Sequence, residues 1–139
     1  MSHILVVDDD ASIRALLQVA LAELGTVITA EDGAHAIAAT TERVPALAVL
    51  DVMMPGVSGL SVLEMWRADP RTREMPVIML SARDQPIDRS DGYGAGADAY
   101  VTKPFEVDVL LTLLRTLMVE QQPDPAELLA ELRAHPEHE

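Results

Sequence analysis

Asp8, Asp9, Asp51, Ser81 and Lys103 are the residues whose types and positions could do chemistry together, because each follows a short apolar, β-branched run. If the three aspartates meet, their charges conflict. Two carboxylates ~4 Å apart repel by roughly 4 kcal/mol at an effective dielectric of about 20, so protons or a cation must join them. Hard oxygen donors at an open edge suit Mg²⁺, which keeps several waters and shares its coordination with phosphate. Calcium fits less well, since no Asp-x-Asp-x-Asp-Gly loop is present. Asp51 is then a candidate nucleophile. A carboxylate can attack phosphorus and form an acyl phosphate when charge on the transferred group is neutralised, by the metal and by the Lys103 ammonium. Helix capping is the plainer role for Asp8 to Asp10, and Asp10 suits it ahead of Ala11–Leu24. Capping does not account for all three.

The elements that would position these residues can be read from the hydrophobic pattern. Ile4–Val7, Val27–Ala30, Ala46–Leu50, Pro76–Leu80 and Ala99–Thr102 read as short strands. Between them, Ile13, Leu16, Leu17, Ala20, Leu21 and Leu24 recur at helical spacing, and Gly25 stops that helix. Ala34–Arg43, Ser58–Ala68 and Val107–Met118 also read as helices, with Leu60, Leu63 and Trp66 facing inward in the second of these. Asp84–Ala95 should be a helix by alternation but is poor in helix formers, and its interior glycines each cost about 1 kcal/mol against alanine. The last helix has more apolar residues than one stripe needs, leaving Val109 and Leu113 on another side. This alternation predicts an α/β fold, a doubly wound five-stranded parallel sheet flanked by helices. Ligands of such sheets bind beyond the carboxyl ends of the strands, where all the chemically active positions fall.

Composition narrows the classes. At 139 residues, 49% hydrophobic and 24% charged, the chain fits one globular domain. It has no cysteine, which excludes disulfides and thiolate metal sites. The N-terminus lacks a basic region ahead of an apolar one, and the longest apolar stretches are too short for a membrane span. The expected location is the cytoplasm, with no membrane contact. The net charge of −13 predicts no direct nucleic-acid binding by this chain, since such affinity rests on Lys and Arg.

Four segments together resemble the receiver domains of two-component response regulators, the fold of chemotaxis-type single-domain regulators. They are Ile4-Leu-Val-Val-Asp-Asp-Asp10, Leu50-Asp-Val-Met-Met-Pro-Gly56, Val77-Ile-Met-Leu-Ser-Ala-Arg83 and Gly96-Ala-Asp-Ala-Tyr-Val-Thr-Lys-Pro-Phe105. The similarity spans about residues 3 to 120, and it implies a flavodoxin-like receiver fold that accepts a phosphoryl group with Mg²⁺ from a sensor histidine kinase or a phosphotransfer protein. Asp51 matches the phosphoacceptor, Asp9 the direct metal ligand and Asp8 its assistant. Met53 stands where the family gives only a backbone carbonyl to the metal. Ser81 matches the switch hydroxyl, Ala82 leaves room for the phosphoryl group, Lys103 matches the motif lysine, and Lys103-Pro104 the cis peptide. Tyr100 matches an aromatic switch that moves inward. The implied output surface comprises the fourth helix, fifth strand and fifth helix, controlling an unknown protein target or oligomerisation. Met53 and Arg83 flank the approach of water to an acyl phosphate, and their bulk suggests slow self-dephosphorylation.

The receiver unit is expected over 1–121. Residues 122–139 would form a tail in which Asp124-Pro-Ala-Glu127 opens a short amphipathic helix with Leu128, Leu129 and Leu132. That helix could dock on Val109 and Leu113, pair the last helices in a homodimer, or fray. No DNA-binding region follows in the sequence, which fits a stand-alone regulator or a part of a longer one. Two other classes compete. A phosphatase of the haloacid dehalogenase type needs an acid two residues after its nucleophile, where this chain has Met53. A binding module of the same fold that works without phosphorylation would be favoured if Asp9, Asp51 or Lys103 were missing, and all are present. The sequence predicts no enzyme beyond self-phosphorylation and self-dephosphorylation on Asp51. His3, His35, His135 and His138 share no ligand spacing and receive no role.

Overall fold

The computed structural model describes residues 3–82 and 96–119. Five strands, β1 (His3–Val7), β2 (Thr26–Ala30), β3 (Leu47–Asp51), β4 (Val77–Ala82) and β5 (Ala99–Lys103), alternate with helices α1 (Ala11–Ala20), α2 (Gly33–Glu42), α3 (Gly59–Ala68) and α4 (Val107–Val119). The sheet order is β2-β1-β3-β4-β5, and every pairing is parallel. The α/β architecture expected from the alternation is therefore present, and all strands end on the same edge. The helix expected over 84–95, Arg83 and the tail helix expected within 122–139 lie outside the described residues. Among the described residues, no helix is long and apolar enough to cross a membrane.

Successive strand residues point to opposite faces, and each face has its own core. Leu5, Val7, Ala48, Leu50, Val77 and Met79 join Val62, Leu63 and Trp66 of α3 in one cluster. Ile4, Val6, Leu47, Val49, Ile78 and Leu80 join Leu17 of α1 and Leu110, Leu114 and Leu117 of α4 in the other. The apolar runs Ile4–Val7 of β1 and Leu47–Leu50 of β3 can thus be covered on both sides. Leu113 packs against the second cluster, whereas Val109 is exposed. The two do not share a free face, because Leu113 lies on the flank of the α4 stripe.

The helix ends explain most differences from the expected boundaries. Asp10 accepts the Ser12 N–H and caps α1, which stops at Ala20 rather than Leu24. Beyond it the Ala22 and Leu24 N–H groups bond three residues back, to Val19 and Leu21, a tighter turn than an α-helix. Ser58 caps α3, and Gly59 sits so close to the end of β3 that a Cβ there would overlap the Asp51 carbonyl oxygen. At the opposite edge, the Arg67 guanidinium donates to the Gly96, Thr72, Arg73 and Met75 carbonyls and to the Asp98 carboxylate. Asp98 also accepts the Val77 N–H, so α3, β4 and the approach to β5 are tied together. The buried Trp66 donates its indole N–H to Thr40, joining α3 to α2.

Candidate functional site

The carboxyl ends of β1, β3 and β5 bring Asp8, Asp9, Asp51 and Lys103 together. Each aspartate offers a carboxylate oxygen within 4.8 Å of the others. Asp8 has no exposed surface, Asp51 is 4% exposed, and Asp9 is open to solvent. The Lys103 ammonium lies 2.8 Å from Asp8 Oδ2 and 3.4 Å from Asp51 Oδ1. It is the only lysine of the chain. The Lys103–Pro104 peptide is cis.

The turn carrying Asp8 and Asp9 is held at several points. The Asp8 N–H donates to the Ala30 carbonyl, Asp8 Oδ1 accepts the Asp10 N–H at 2.9 Å, and the Asp8 carbonyl accepts Arg14 Nη1 at 2.8 Å. Asp8 is therefore saturated by protein donors, while Asp9 and Asp51 offer the more available oxygens. Burial pushes the Asp51 carboxyl up to about 7, reinforced by the charge of Asp8 and only partly opposed by Lys103. Hydrogen bonding to Asp9 also favours its protonated form. For Lys103, burial acts downward, but the hydrogen bond to Asp8 and the charges of Asp51 and Asp8 outweigh it and raise the ammonium.

The donor set has the chemistry of a Mg²⁺ site. Carboxylate oxygens are the ligands a small hard cation prefers, and a carboxyl whose charged form is disfavoured by burial and a neighbouring carboxylate is one that a cation would relieve. The residues fit. Asp9 and Asp51 would hold the ion, with Asp8 behind them.

Other residues singled out from the sequence lie near this cluster or away from it. Ser81 is buried at the end of β4, with its hydroxyl donating to the Ala82 carbonyl at 3.2 Å, and Ala82 lies opposite Lys103 in the β4–β5 register. Tyr100 is buried in the α2–α3 core and is paired with Met79. The Met53 side chain is 47% exposed. A second group, Glu31, Asp32 and His35, has ligand atoms within 4.8 Å of one another at the start of α2. Asp32 there already accepts the His35 N–H as the helix cap and meets His35 Nδ1 at 2.6 Å. Sequence reasoning missed Arg14 and Gly59. The available signal for Arg14 was a cation inside the first turns of a helix, where the macrodipole disfavours it.

The family model described as the response regulator receiver domain matches residues 4–115. The DNA-binding dual master transcriptional regulator RpaA of Synechocystis sp. is 40% identical over 119 residues, covering 85% of this chain and 49% of that protein. The DNA-binding response regulator MtrA of Mycobacterium tuberculosis is 38% identical over 129 residues, covering 92% and 55%. Among solved structures, the Francisella response regulator 1452 receiver domain aligns with a TM-score of 0.79 at 31% identity, covering 88% of this chain and 100% of that one. The chemotaxis response regulator CheY4 of Vibrio cholerae aligns at 0.77 with 30% identity, covering 84% and 98%. The chain spans about half the length of the curated relatives it matches.

These relatives overturn one expectation. The acidic balance had placed nucleic acid outside the partners, yet the relatives are DNA-binding regulators. Net charge describes the surface of one domain and does not report what a regulator containing such a domain acts upon.

Proposed function

Because this chain belongs to the response regulator receiver domain family of two-component signalling, we propose that Asp51 accepts a phosphoryl group from a sensor histidine kinase or a histidine phosphotransfer protein. The observation that carries this reading is the Lys103 ammonium, 2.8 Å from Asp8 and 3.4 Å from Asp51 in a pocket of three carboxylates. In the step, an Asp51 carboxylate oxygen bonds to phosphorus as the bond from phosphorus to the donor imidazole breaks, and the imidazole leaves with its electron pair and takes a proton. Asp51 must be deprotonated to attack, and Lys103 favours that form. When bound, Mg²⁺ would neutralise charge on the transferred group. Asp9 and Asp51, with the Met53 carbonyl, would hold it. Receiver domains are generally not classical enzymes, and self-phosphorylation and self-dephosphorylation complete this chemistry.

The phosphoryl group adds about −1.5 to −2 charge and three acceptors. One hydrogen bond to a charged group contributes roughly 1.5–3 kcal/mol, whereas reversing a two-state equilibrium from 1:99 to 99:1 takes about 5.5 kcal/mol. Ser81 and Lys103 therefore act together, each leaving its present partner for the phosphoryl oxygens, with Tyr100 as the packing element that responds. The names of the relatives support an output on DNA, for RpaA on transcription, and membership of the response regulator family supports a cytoplasmic location. The receiver unit occupies 1–121 in this reading and the tail 122–139.

The test is uptake of phosphate from acetyl phosphate with Mg²⁺, read by intact mass. Wild type should gain one phosphoryl group and Asp51→Asn none. Uptake that survives Asp51→Asn would refute the assignment, and no uptake by wild type would favour a module that works without phosphorylation.

A further inference from the structure

We propose that Arg14 is a positioning residue for the cation site, acting through the peptide that links Asp8 to Asp9. The inference rests on the functional reading above. Arg14 lies on α1, outside the acidic cluster, and its Nη1 donates to the Asp8 carbonyl at 2.8 Å. That carbonyl belongs to the peptide unit whose nitrogen is that of Asp9. Fixing its plane fixes the direction of the Asp9 N–Cα bond and so narrows where the Asp9 side chain can lie, since the peptide is rigid and only the flanking dihedrals are soft. Asp9 needs such help. Unlike Asp8 it is exposed, and no described hydrogen bond from a backbone N–H holds its carboxylate. The residues on either side are anchored, Asp8 through Lys103 and the Asp10 N–H, and Asp10 through the Ser12 N–H.

The placement of Arg14 is otherwise unfavourable. A cation within the first turns of a helix opposes the helix dipole, and a capped helix has no need of it. Its surroundings supply the compensation: Asp8, Asp9 and Asp51 carry three carboxylates against one ammonium, and the guanidinium adds positive potential without coming within ion-pair distance of any of them. The single described hydrogen bond of its guanidinium goes to the turn that bears the metal ligands. Groups one layer behind metal ligands typically change affinity by about 10–100-fold when removed.

The experiment is a calorimetric Mg²⁺ titration of the full chain, with acetyl phosphate uptake measured across Mg²⁺ concentration. Arg14→Met, which keeps the packing stem and removes the donor, should weaken Mg²⁺ binding about tenfold. Its phosphorylation should recover at saturating Mg²⁺, with the metal requirement raised and the limiting rate unchanged. Arg14→Lys, which can still reach the carbonyl, should stay within about threefold of wild type. If Arg14→Met does not fold, Arg14→Gln, two atoms shorter, carries the same expectation. Affinity within twofold of wild type in the folded variant overturns the proposal, as does a lowered limiting rate with unchanged Mg²⁺ affinity. Wild-type protein that binds no Mg²⁺ would instead sink the functional reading itself.

Discussion

A carboxyl pushed up to about 7 makes Asp51 the residue that links the site to pH. Its ordinary value is 3.8, so between these limits the folded state holds a proton that the unfolded state has released. This contribution to stability is fully present below the unfolded value and is lost as pH rises through about 7. Without Mg²⁺, the wild type should lose on the order of 3 kcal/mol from pH 4 to pH 8 through this group, and Asp51→Asn should remove that slope. Denaturant melts of both proteins at several pH values check this, and parallel slopes would contradict it. Ser81 makes a second case. Ser81→Ala should still take up phosphate but lose most of the conformational response, read as partner binding or as spectral change. The aspartates, Ser81 and Lys103 were legible because they end apolar runs, and strand ends converge in a parallel sheet. Arg14 was marked only by its unfavourable place in the first turns of a helix, because its partner is a backbone carbonyl, which carries no signature in side-chain types.

The strands were readable as elements for a simple reason: Ile4–Val7 of β1 and Leu47–Leu50 of β3 are unbroken apolar runs because both faces are covered. Helix ends were less so. The stop of α1 at Ala20 depends on N–H groups choosing partners three residues back, a competition too close for spacing to decide. The close approach of α3 to β3 was also hidden, since Gly59 reads locally as a weak helix residue. Gly59→Ala should cost about 1–3 kcal/mol or more through forced backbone shifts, and should slow phosphate uptake by moving the Asp51 carbonyl. A chemical melt and an acetyl phosphate time course test both parts. On the other side of α3, Thr40→Val would leave the buried Trp66 N–H without its acceptor. A loss of about 1–3 kcal/mol is expected, with a change in the emission of the single tryptophan.

At the scale of the whole molecule, an ion bound only by the folded state should stabilise all of it. Free Mg²⁺ at roughly 100 times its dissociation constant should add about 2.7 kcal/mol, visible as a rise in melting temperature that Asp51→Asn diminishes. A rise of equal size in both proteins would point to screening of the −13 charge instead. That charge was also where inference from composition overreached. It constrains what this surface attracts, while the link to DNA came only from relatives about twice as long. The scarcity of lysine has a practical corollary. With every other basic side chain an arginine or histidine, reductive methylation with isotopically enriched formaldehyde would tag one interior position besides the amino terminus. Its resonance would report directly on the arrival of an ion or a phosphate, without mutating the pocket.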